Sequence, residues 1–417
     1  MTNELKSNLI ERVFFKLQMI LLLLKLLTKK LPVILFALIT AIGARAQQNE
    51  GSVPGSFISP QVSEGNTVTF KLKAPLAKSV SIKGDWEDNG GKATMTKDAD
   101  GIWSVTVGSL PSDMYLYTLN VDSVQMLDPA NPFVCRDVGN LFSVLITNKG
   151  KGDNYSVNDV PHGNVVRTWY PSTTFKTKRR MTVYTPPGYE EGKSRYPVLY
   201  LLHGSGGDEE AWVTLGAVPR ILDNLVAEGK AEPMIVVMPN GNPSTQAAPG
   251  ETKENLAQHP VMSNTLPGYK DGSYERSFKE IVDFVDSRYR TKPEKSARAV
   301  AGLSMGGFHS LFISANHPDL FDYVGLFSPG INFTNVNITI PAYNNLEEKL
   351  AIQMKRGFKL YWMGIGRTDG LYEPMQEYKK RLDKIHFPYK YVESTRGHIW
   401  SNWRSYLLQF APLLFNK

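Results

Sequence analysis

The residue best placed to do chemistry is Ser304, in the run Gly302-Leu303-Ser304-Met305-Gly306. An apolar run over 297–301 precedes it, and a helix-like run over 307–316 follows it. A sharp turn from a strand into a helix needs small residues on both sides of the serine. It also points the free N–H groups of the helix at charge that develops beside the hydroxyl. The pattern predicts a nucleophilic Ser304; the competing interpretation is a Gly-rich turn in which a serine caps a helix.

A serine nucleophile needs a base to take its proton, and the base needs an acid to orient it. When the nucleophile lies on such a turn, the acid and then the histidine follow along the chain. Four histidines lie downstream of Ser304: His309, His317, His386 and His398. His309 and His317 are too close along the chain to reach Ser304 from the far side, and His386 enters the last strand-like run. His398 follows that run, at the sheet edge where α/β sites gather, and is the predicted base.

The predicted acid is Asp369, because it follows another strand-like run at the same edge. Among its competitors, Glu373 and Glu377 fit a helix surface, and Asp319 and Asp322 flank the end of the helix after Ser304. The alternative for Asp369 is an ordinary turn aspartate.

The oxyanion formed on attack at an acyl carbonyl needs two N–H donors. We predict the backbone N–H groups of Met305, directly after the nucleophile, and of Ser205, in the glycine-rich run 203–207. His203 opens that run and is predicted to brace the loop rather than to act in catalysis. A Ser-His-Asp mechanism needs no metal and no organic cofactor, so none is expected.

The elements that position these residues alternate from about residue 155 to residue 417. Strand-like apolar runs are separated by amphipathic stretches, roughly 209–227, 274–289, 307–316 and 371–384. This alternation predicts an α/β-hydrolase domain with a mostly parallel sheet and helices on both faces. The polar region 241–271 is too long for a routine connection, and it is predicted to be a functional or mobile loop.

Residues 56–150 follow a different pattern. Residues 67–73, 79–83 and 103–107 alternate with period two, and turn-forming residues separate these runs. Short strands at this spacing predict a small all-β sandwich. Trp86 and Trp103 raise the possibility of sugar stacking, but alternating aromatics in a sandwich usually form its core, and that is our prediction.

The N-terminus has the features of an export signal. An apolar run starts at Leu31, directly after two lysines, and Ala44-Arg45-Ala46 matches a cleavage site. We therefore predict a signal peptide over 1–46 and a polar linker over 47–55. The expected location is the periplasm or the outside of a bacterium, with no stable membrane association after cleavage.

Two points about this segment stay open. Translation starts at Met1 or at Met19, and the second start would give a signal of ordinary length. The alternative to a cleaved signal is a membrane anchor over Met19–Ile42. Lys25, Lys29 and Lys30 disfavour that anchor because charges at mid-membrane are costly.

Charge and cysteine content narrow the class of protein. The formal net charge is +7, but residues 1–46 carry seven Lys/Arg and two Asp/Glu, which leaves +2 for the remainder. That is too little to indicate nucleic acid as a partner. The single cysteine, Cys135, excludes an intrachain disulfide and a cysteine-based metal site, and it is predicted to be a small buried hydrophobe.

Four separated blocks resemble the esterase D group of α/β-hydrolases. They are Tyr200–Trp212, Pro233–Gly241, Ala301–Gly307 and Gly397–Arg404. The likeness covers essentially all of 160–417, in a group that includes feruloyl, acetyl-xylan and enterochelin esterases, formylglutathione hydrolases and mycolyl transferases. It implies a serine carboxylesterase in which Ser304, Asp369 and His398 fall on the triad positions.

The β region also has a likeness. Val80–Trp86, Asp100–Trp103, Tyr115–Tyr117 and Asp128–Asn131 resemble early-set immunoglobulin-like domains related to glycogen-binding modules. Feruloyl esterases of polysaccharide-degrading bacteria often look like this pair of domains behind a signal peptide.

The resemblance predicts removal of feruloyl or acetyl esters from xylan-type polysaccharide, with plant cell-wall polysaccharide or a feruloylated oligosaccharide as the partner. Two alternatives stay open: an enterochelin-type siderophore esterase, and a non-catalytic glycan-binding protein on a hydrolase scaffold. Trp212 and Trp400 lie near the catalytic loops in sequence and are predicted to line an aromatic acyl pocket, with simple packing as the other interpretation.

Overall fold

The computed structural model describes residues 16–21, 57–86, 91–252 and 261–416. The chain divides into two units, 1–56 and 57–417. In the first unit, residues 16–21 are helical, and the rest of the predicted signal peptide and linker lies outside the described residues. Among the helices that are described, none is long and apolar enough to cross a membrane.

Residues 57–150 form two antiparallel sheets. Their described strands are β1 Gln61–Val62, β2 Val68–Lys73, β3 Val80–Gly84, β4 Ala93–Thr94, β5 Thr96–Lys97, β6 Ile102–Val107, β7 Met114–Val121, β8 Val124–Met126, β9 Val134–Asp137 and β10 Asn140–Ile146. One sheet has the order β1-β2-β6-β5, and the other has β4-β3-β7-β10-β9 with β8 paired to β7. The all-β character predicted for this region is confirmed; its immunoglobulin-like identity stays a prediction.

An apolar core lies between these two sheets. Trp86 and Trp103 belong to it, and each is only 7% exposed. The Nε1–H group of Trp103 donates to the carbonyl of Ala74 at 2.9 Å, so the one polar atom of this indole is satisfied inside the region. The prediction that these tryptophans are core residues is confirmed.

Residues 164–414 form a mixed eight-stranded sheet with helices on both faces. The strands are β11 Asn164–Ser172, β12 Thr177–Thr185, β13 Val198–Leu202, β14 Ile235–Pro239, β15 Arg298–Leu303, β16 Tyr323–Phe327, β17 Leu360–Gly366 and β18 Lys390–Ser394. The α-helices are α1 Ala211–Thr214, α2 Val218–Ala227, α3 Ser273–Arg288, α4 Met305–Asn316, α5 Leu346–Arg356, α6 Tyr372–Lys384 and α7 Trp400–Phe410.

The strand order is β11-β12-β14-β13-β15-β16-β17-β18. The six strands from β14 to the β18 edge run parallel, as predicted, and β11 and β12 add an antiparallel hairpin at the other edge. The sequence does not predict this hairpin, because its strands mix charged residues such as Arg179 and Arg180 with apolar ones. Both arginines are buried and satisfied by partners distant in sequence.

Successive residues of the central strands face opposite sides of the sheet. In β13, Val198 and Tyr200 join an apolar core with residues of α3 to α6, while Leu199 and Leu201 join a second core with α1, α2 and α7. The sheet is therefore covered on both faces. This is why its parallel strands are nearly continuous apolar runs.

The β region packs directly on the α/β domain through the second of these cores. Met114, Leu116 and Cys135 of the β region share it with residues of α1 and α7. Cys135 is 5% exposed, as predicted for a small buried hydrophobe. Across the same contact, the fully buried Arg404 donates to the carbonyl of Met114 and lies 3.7 Å from the carboxylate of Asp113, while within its own domain it donates to the carbonyl of Leu215 at 2.8 Å.

Candidate active site

Ser304 lies at the turn between β15 and α4, where the backbone adopts φ 51° and ψ −113°. A non-glycine residue in this region is strained by about 1–3 kcal/mol, and such strain persists only where the surroundings impose it. The N–H of Ser304 donates to the carbonyl of Phe327 at 2.9 Å, and the N–H of Gly330 donates to the carbonyl of Ser304 at 2.7 Å. A Cβ on Gly306 would lie 2.4 Å from the carbonyl oxygen of Leu202, which explains why a glycine stands two residues after the serine.

The predicted acid and base are hydrogen-bonded to each other. Nδ1 of His398 lies 2.9 Å from Oδ2 and 3.1 Å from Oδ1 of Asp369. Oδ1 also accepts the backbone N–H of Leu371 at 2.9 Å. The Asp369 carboxylate is buried, whereas the His398 side chain is about one-third exposed. Nε2 is thereby left as the ring nitrogen available to a serine.

The environment keeps Asp369 ionised. Burial by itself would raise the pKa of this carboxyl group, but the hydrogen bond and the charge of His398 outweigh burial, with a further contribution from the Leu371 N–H. The net effect lowers its pKa. A carboxylate that stays charged can hold the imidazole in one tautomer and stabilise its protonated form.

The glycine-rich loop after β13 approaches the serine closely. A Cβ on Gly204 would lie 3.3 Å from Cβ of Ser304. Ser205 follows, and its Oγ accepts the N–H of Ser263 at 2.8 Å, which ties the loop to the 261–271 segment. On the other side, Met305 is the first residue of α4, where backbone N–H groups have no partner within the helix. The two predicted oxyanion donors therefore lie close to the turn that carries Ser304, and their role is a proposal developed below.

His203 braces this loop, as predicted. Its Nδ1 lies 2.8 Å from the carbonyl of Gly204, and its Nε2 accepts the N–H of Gly241 at 2.8 Å. The ring is 2% exposed, and burial lowers its pKa to about 4, although the Gly204 hydrogen bond opposes that shift. A neutral imidazole with both nitrogens engaged has no free atom for catalysis.

The prediction that Trp212 lines the substrate pocket needs correction. Its side chain is 1% exposed, and its Nε1–H donates to the carbonyl of Leu202 at 2.9 Å, beneath the glycine-rich loop. It packs edge-on against Trp400 with ring centroids 5.4 Å apart. Trp212 therefore packs against Trp400 inside the protein and does not line the cavity. A position next to a catalytic loop in the sequence does not determine which side of the loop a ring occupies.

A cavity of about 210 Å³ brings the predicted residues together. Ser304, Ser205, His398 and Trp400 line it, together with Trp403. The ring of Trp403 meets the His398 ring edge-on at 4.8 Å and the Trp400 ring at 5.2 Å. The serine and the histidine thus face one space with an aromatic wall.

This cavity continues into a larger cleft of about 750 Å³. Both spaces are lined by Asp137, His398, Trp400 and Trp403. The larger one lies between the β region and the α/β domain, and its additional polar residues are Lys83, Asp85, Thr118, Gln125, Asn140, Thr368 and Arg396.

Cavity-lining residues that the sequence did not predict as site residues include Asp137, Val138, Met262 and Trp403. Trp403 stands in the block around His398, one helical turn beyond Trp400, and that spacing could have suggested it. Asp137 and Val138 belong to the β region, and nothing in their local sequence indicates that they reach the cavity that contains Ser304.

Ser304 on its strained strand-to-helix turn and the histidine that Asp369 holds line one cavity at the edge of an α/β sheet. This arrangement defines a hydrolase-type site. The family model described as putative esterase matches residues 172–414. This span is more than half of the chain, so the chain belongs to that esterase family, and its α/β domain is a carboxylic ester hydrolase.

Curated relatives extend this comparison. An endo-1,4-beta-xylanase/feruloyl esterase of Xylanibacter ruminicola is 31% identical over 277 residues, which make up 65% of this chain and 36% of that protein. An endo-1,4-beta-xylanase of Acetivibrio thermocellus is 28% identical over 189 residues, 42% of this chain and 15% of that protein. The chain therefore spans about a third or less of the length of these relatives.

Solved structures with the same fold include an enterobactin esterase from Shigella flexneri. It has a TM-score of 0.59 and 16% identity, and the match covers 86% of this chain and 96% of that one. A ferulic acid esterase from Anaeromyces mucronatus has a TM-score of 0.50 and 22% identity, with coverage of 68% and 97%. At these identities the likeness concerns the fold alone.

Proposed function

We propose that Ser304, His398 and Asp369 form the catalytic triad of a double-displacement ester hydrolysis. His398 takes the proton of the Ser304 hydroxyl, whose oxygen attacks the ester carbonyl, and then gives a proton to the departing alcohol. Water activated by His398 next cleaves the acyl-enzyme and releases the acid. The N–H groups of Ser205 and Met305 stabilise the oxyanion in both steps.

One observation carries this proposal: the buried Asp369 carboxylate holds Nδ1 of His398 at 2.9 Å while the ring faces the cavity that contains Ser304. The strained backbone of Ser304 supports it, because strain at such a turn exposes the hydroxyl. His203 does not compete for the role, because both of its ring nitrogens are engaged.

We propose that the substrate is a feruloyl or acetyl ester of a xylan-type plant polysaccharide. The Xylanibacter relative is named as a xylanase and feruloyl esterase, which supports this class. The shape of the site supports it as well. The cavity at Ser304 has a wall made by Trp400 and Trp403, which suits an aromatic acyl group, and the adjoining polar cleft suits sugar hydroxyls.

The setting of the enzyme is also a proposal. A signal peptide over 1–46 would export the chain, so that residues 56–150 and 155–417 act as a sandwich and an esterase in the periplasm or outside the cell. Export gives access to a polymer that cannot enter the cell. Sizing the N-terminus of the secreted protein by mass spectrometry tests this, and an intact residue 1 on the secreted protein would contradict it.

The first test of the mechanism replaces the nucleophile. Ser304→Ala should remove hydrolysis of p-nitrophenyl acetate, with a loss of roughly 10⁵-fold or more in kcat. Ser287→Ala, on the exposed face of α3, is the matched control and should keep wild-type rates. Retained activity in Ser304→Ala would refute the triad.

The second test separates substrate classes. Rates on methyl ferulate, acetylated xylan and a catecholate siderophore are compared for the wild-type protein at equal concentration. A preference for methyl ferulate or acetylated xylan supports the proposal, whereas a preference for the siderophore identifies the alternative esterase. Failure of a fluorophosphonate to label Ser304 would identify a non-catalytic glycan-binding protein.

A further inference from the structure

The turn between β9 and β10 reaches from the β region into the catalytic cavity. Asp137 pairs with Asn140, so the turn has only two residues, Val138 and Gly139. Val138 lines the cavity together with Ser304 and Ser205. A residue from the other domain thus stands beside the nucleophile and the proposed oxyanion donor.

The backbone of Val138 is strained. Its φ is 51°, at the first central position of a two-residue hairpin turn, where glycine is the usual residue. A β-branched side chain at positive φ is a genuine outlier, because its Cβ crowds the backbone. Strain of this kind points to a task for the side chain that a glycine would not perform.

That task is visible in the contacts of Val138. Its Cγ2 lies only 2.7 Å, and its Cγ1 2.8 Å, from the point that a Cβ on Gly206 would occupy. The two methyl groups therefore press on the bare backbone of the glycine-rich loop, directly after Ser205. They line the same cavity as Trp400 and Trp403 of α7.

Charged neighbours fix the turn in this position. Nη1 of Arg136 donates to the carbonyl of Val138 at 2.7 Å, and Nη2 forms an ion pair with the buried Asp208, directly after the glycine-rich loop. The next residue, Asp137, accepts a hydrogen bond from the side chain of Trp400. The turn is thereby attached both to the segment after the glycine-rich loop and to α7.

We infer that Val138 is a specificity-determining residue of the esterase, supplied by the β region. Its isopropyl group forms one wall of the acyl pocket and limits the size of the acyl chain that can lie beside Ser304. The inference rests on the proposed function only in placing the acyl group in this cavity, and it applies to any acyl group. The β region is then part of the active site and not only a scaffold or a sugar-binding attachment.

The test uses two opposite substitutions in the full chain, Val138→Gly and Val138→Phe. The readout is the ratio of kcat/KM for p-nitrophenyl octanoate to that for p-nitrophenyl acetate. One methylene in such a pocket changes discrimination by roughly tenfold or more. We therefore expect the ratio to rise at least fivefold in Val138→Gly and to fall at least fivefold in Val138→Phe. A change of ratio reports on the pocket, because general loss of folded protein lowers both rates equally.

Two controls keep the result interpretable. Val138→Gly relieves the positive φ, so its urea midpoint should equal or exceed that of the wild type, which ensures a folded test protein. Leu141→Phe places the same aromatic side chain in the same hairpin at an exposed site outside the cavity, and its ratio should match the wild type.

The outcomes for this inference and for the proposed function differ. A wild-type enzyme that cleaves methyl ferulate while neither Val138 variant shifts the ratio would overturn the inference and leave the substrate proposal intact. A wild-type enzyme that ignores methyl ferulate, with ratios that shift as expected, would overturn the substrate class and leave the role of Val138 standing.

Discussion

Replacing Asp369 by asparagine should separate the charge of the acid from its geometry. The two side chains have the same shape, so the asparagine can occupy the buried site beside Nδ1 of His398, which now lies 2.9 Å from Oδ2. During the reaction His398 becomes a cation about 4 Å from the centre of the carboxylate charge. At an effective dielectric constant of about 20, that attraction is worth roughly 4 kcal/mol. Its loss corresponds to about 10³-fold in kcat, because each 1.36 kcal/mol is a factor of ten.

A second effect acts in the same direction. The amide NH₂ group of asparagine would donate to Nδ1 and favour the tautomer whose proton is on Nε2, which cannot accept the serine proton. We therefore expect Asp369→Asn to lower kcat on p-nitrophenyl acetate by about 10³- to 10⁴-fold. Glu377→Gln removes a carboxylate from the exposed face of α6 and is the control, with an expected change below about twofold. A loss under about tenfold in Asp369→Asn, in protein with a wild-type urea midpoint, would refute the assignment of Asp369.

Three further predictions concern stability and access. The pKa of His203 is about 4 in the folded protein and about 6.5 in the unfolded protein. The unfolded state therefore binds more protons between these two pH values, and the folded state loses stability as the pH falls through that window. From about pH 7.5 to about pH 5, the free energy of unfolding in urea should fall by about 2 kcal/mol. Arg404→Met should cost about 3 kcal/mol, because it removes a fully buried charge that joins the α/β domain to Asp113 and Met114 of the β region. Cys135 should not react with a thiol reagent near about pH 8 unless denaturant is added, because burial raises the pKa of its thiol to about 12.

Each of these has its own check. His203→Gln keeps an acceptor for the Gly241 N–H but cannot titrate, so its urea midpoint should fall less with pH than that of the wild type; equal slopes would contradict the prediction. Arg356→Met breaks an exposed pair and should cost below about 1 kcal/mol, and a cost as large as that of Arg404→Met would show that burial is not the cause. Rapid labelling of Cys135 in native protein would show that the interface between the domains opens.

Much of the site is determined by local sequence. The Gly-x-Ser-x-Gly run between an apolar strand and a helix predicts the sharp turn that carries Ser304, because small residues are needed wherever a strand turns sharply into a helix. Asp369 and His398 follow from chain order, since loops after parallel strands emerge at one edge of the sheet. The apolar runs of β13 to β17 likewise predict buried parallel strands. The alternation of apolar and polar residues in β2 and β6 predicts half-buried antiparallel strands.

Other features depend on contacts between segments distant in sequence. The hairpin β11–β12 is not readable from the sequence, because Arg179 and Arg180 look like surface residues until their partners more than 25 residues away are in place. The sequence places Trp212 beside a catalytic loop but does not reveal which side of the glycine-rich loop its ring occupies.

The sequence by itself therefore determined the candidate nucleophile, its candidate acid and base, and the two kinds of domain. All of these depend on the local spacing of residue types along single strands, turns and helices. Only the tertiary structure decided which side chains line the cavity, among them Val138 from the β region. The physical reason is that Val138 reaches the cavity because the sheet of the β region packs on helices of the α/β domain. The residues buried in that packing are distant in sequence, so the sequence around residue 138 gives no sign of the contact.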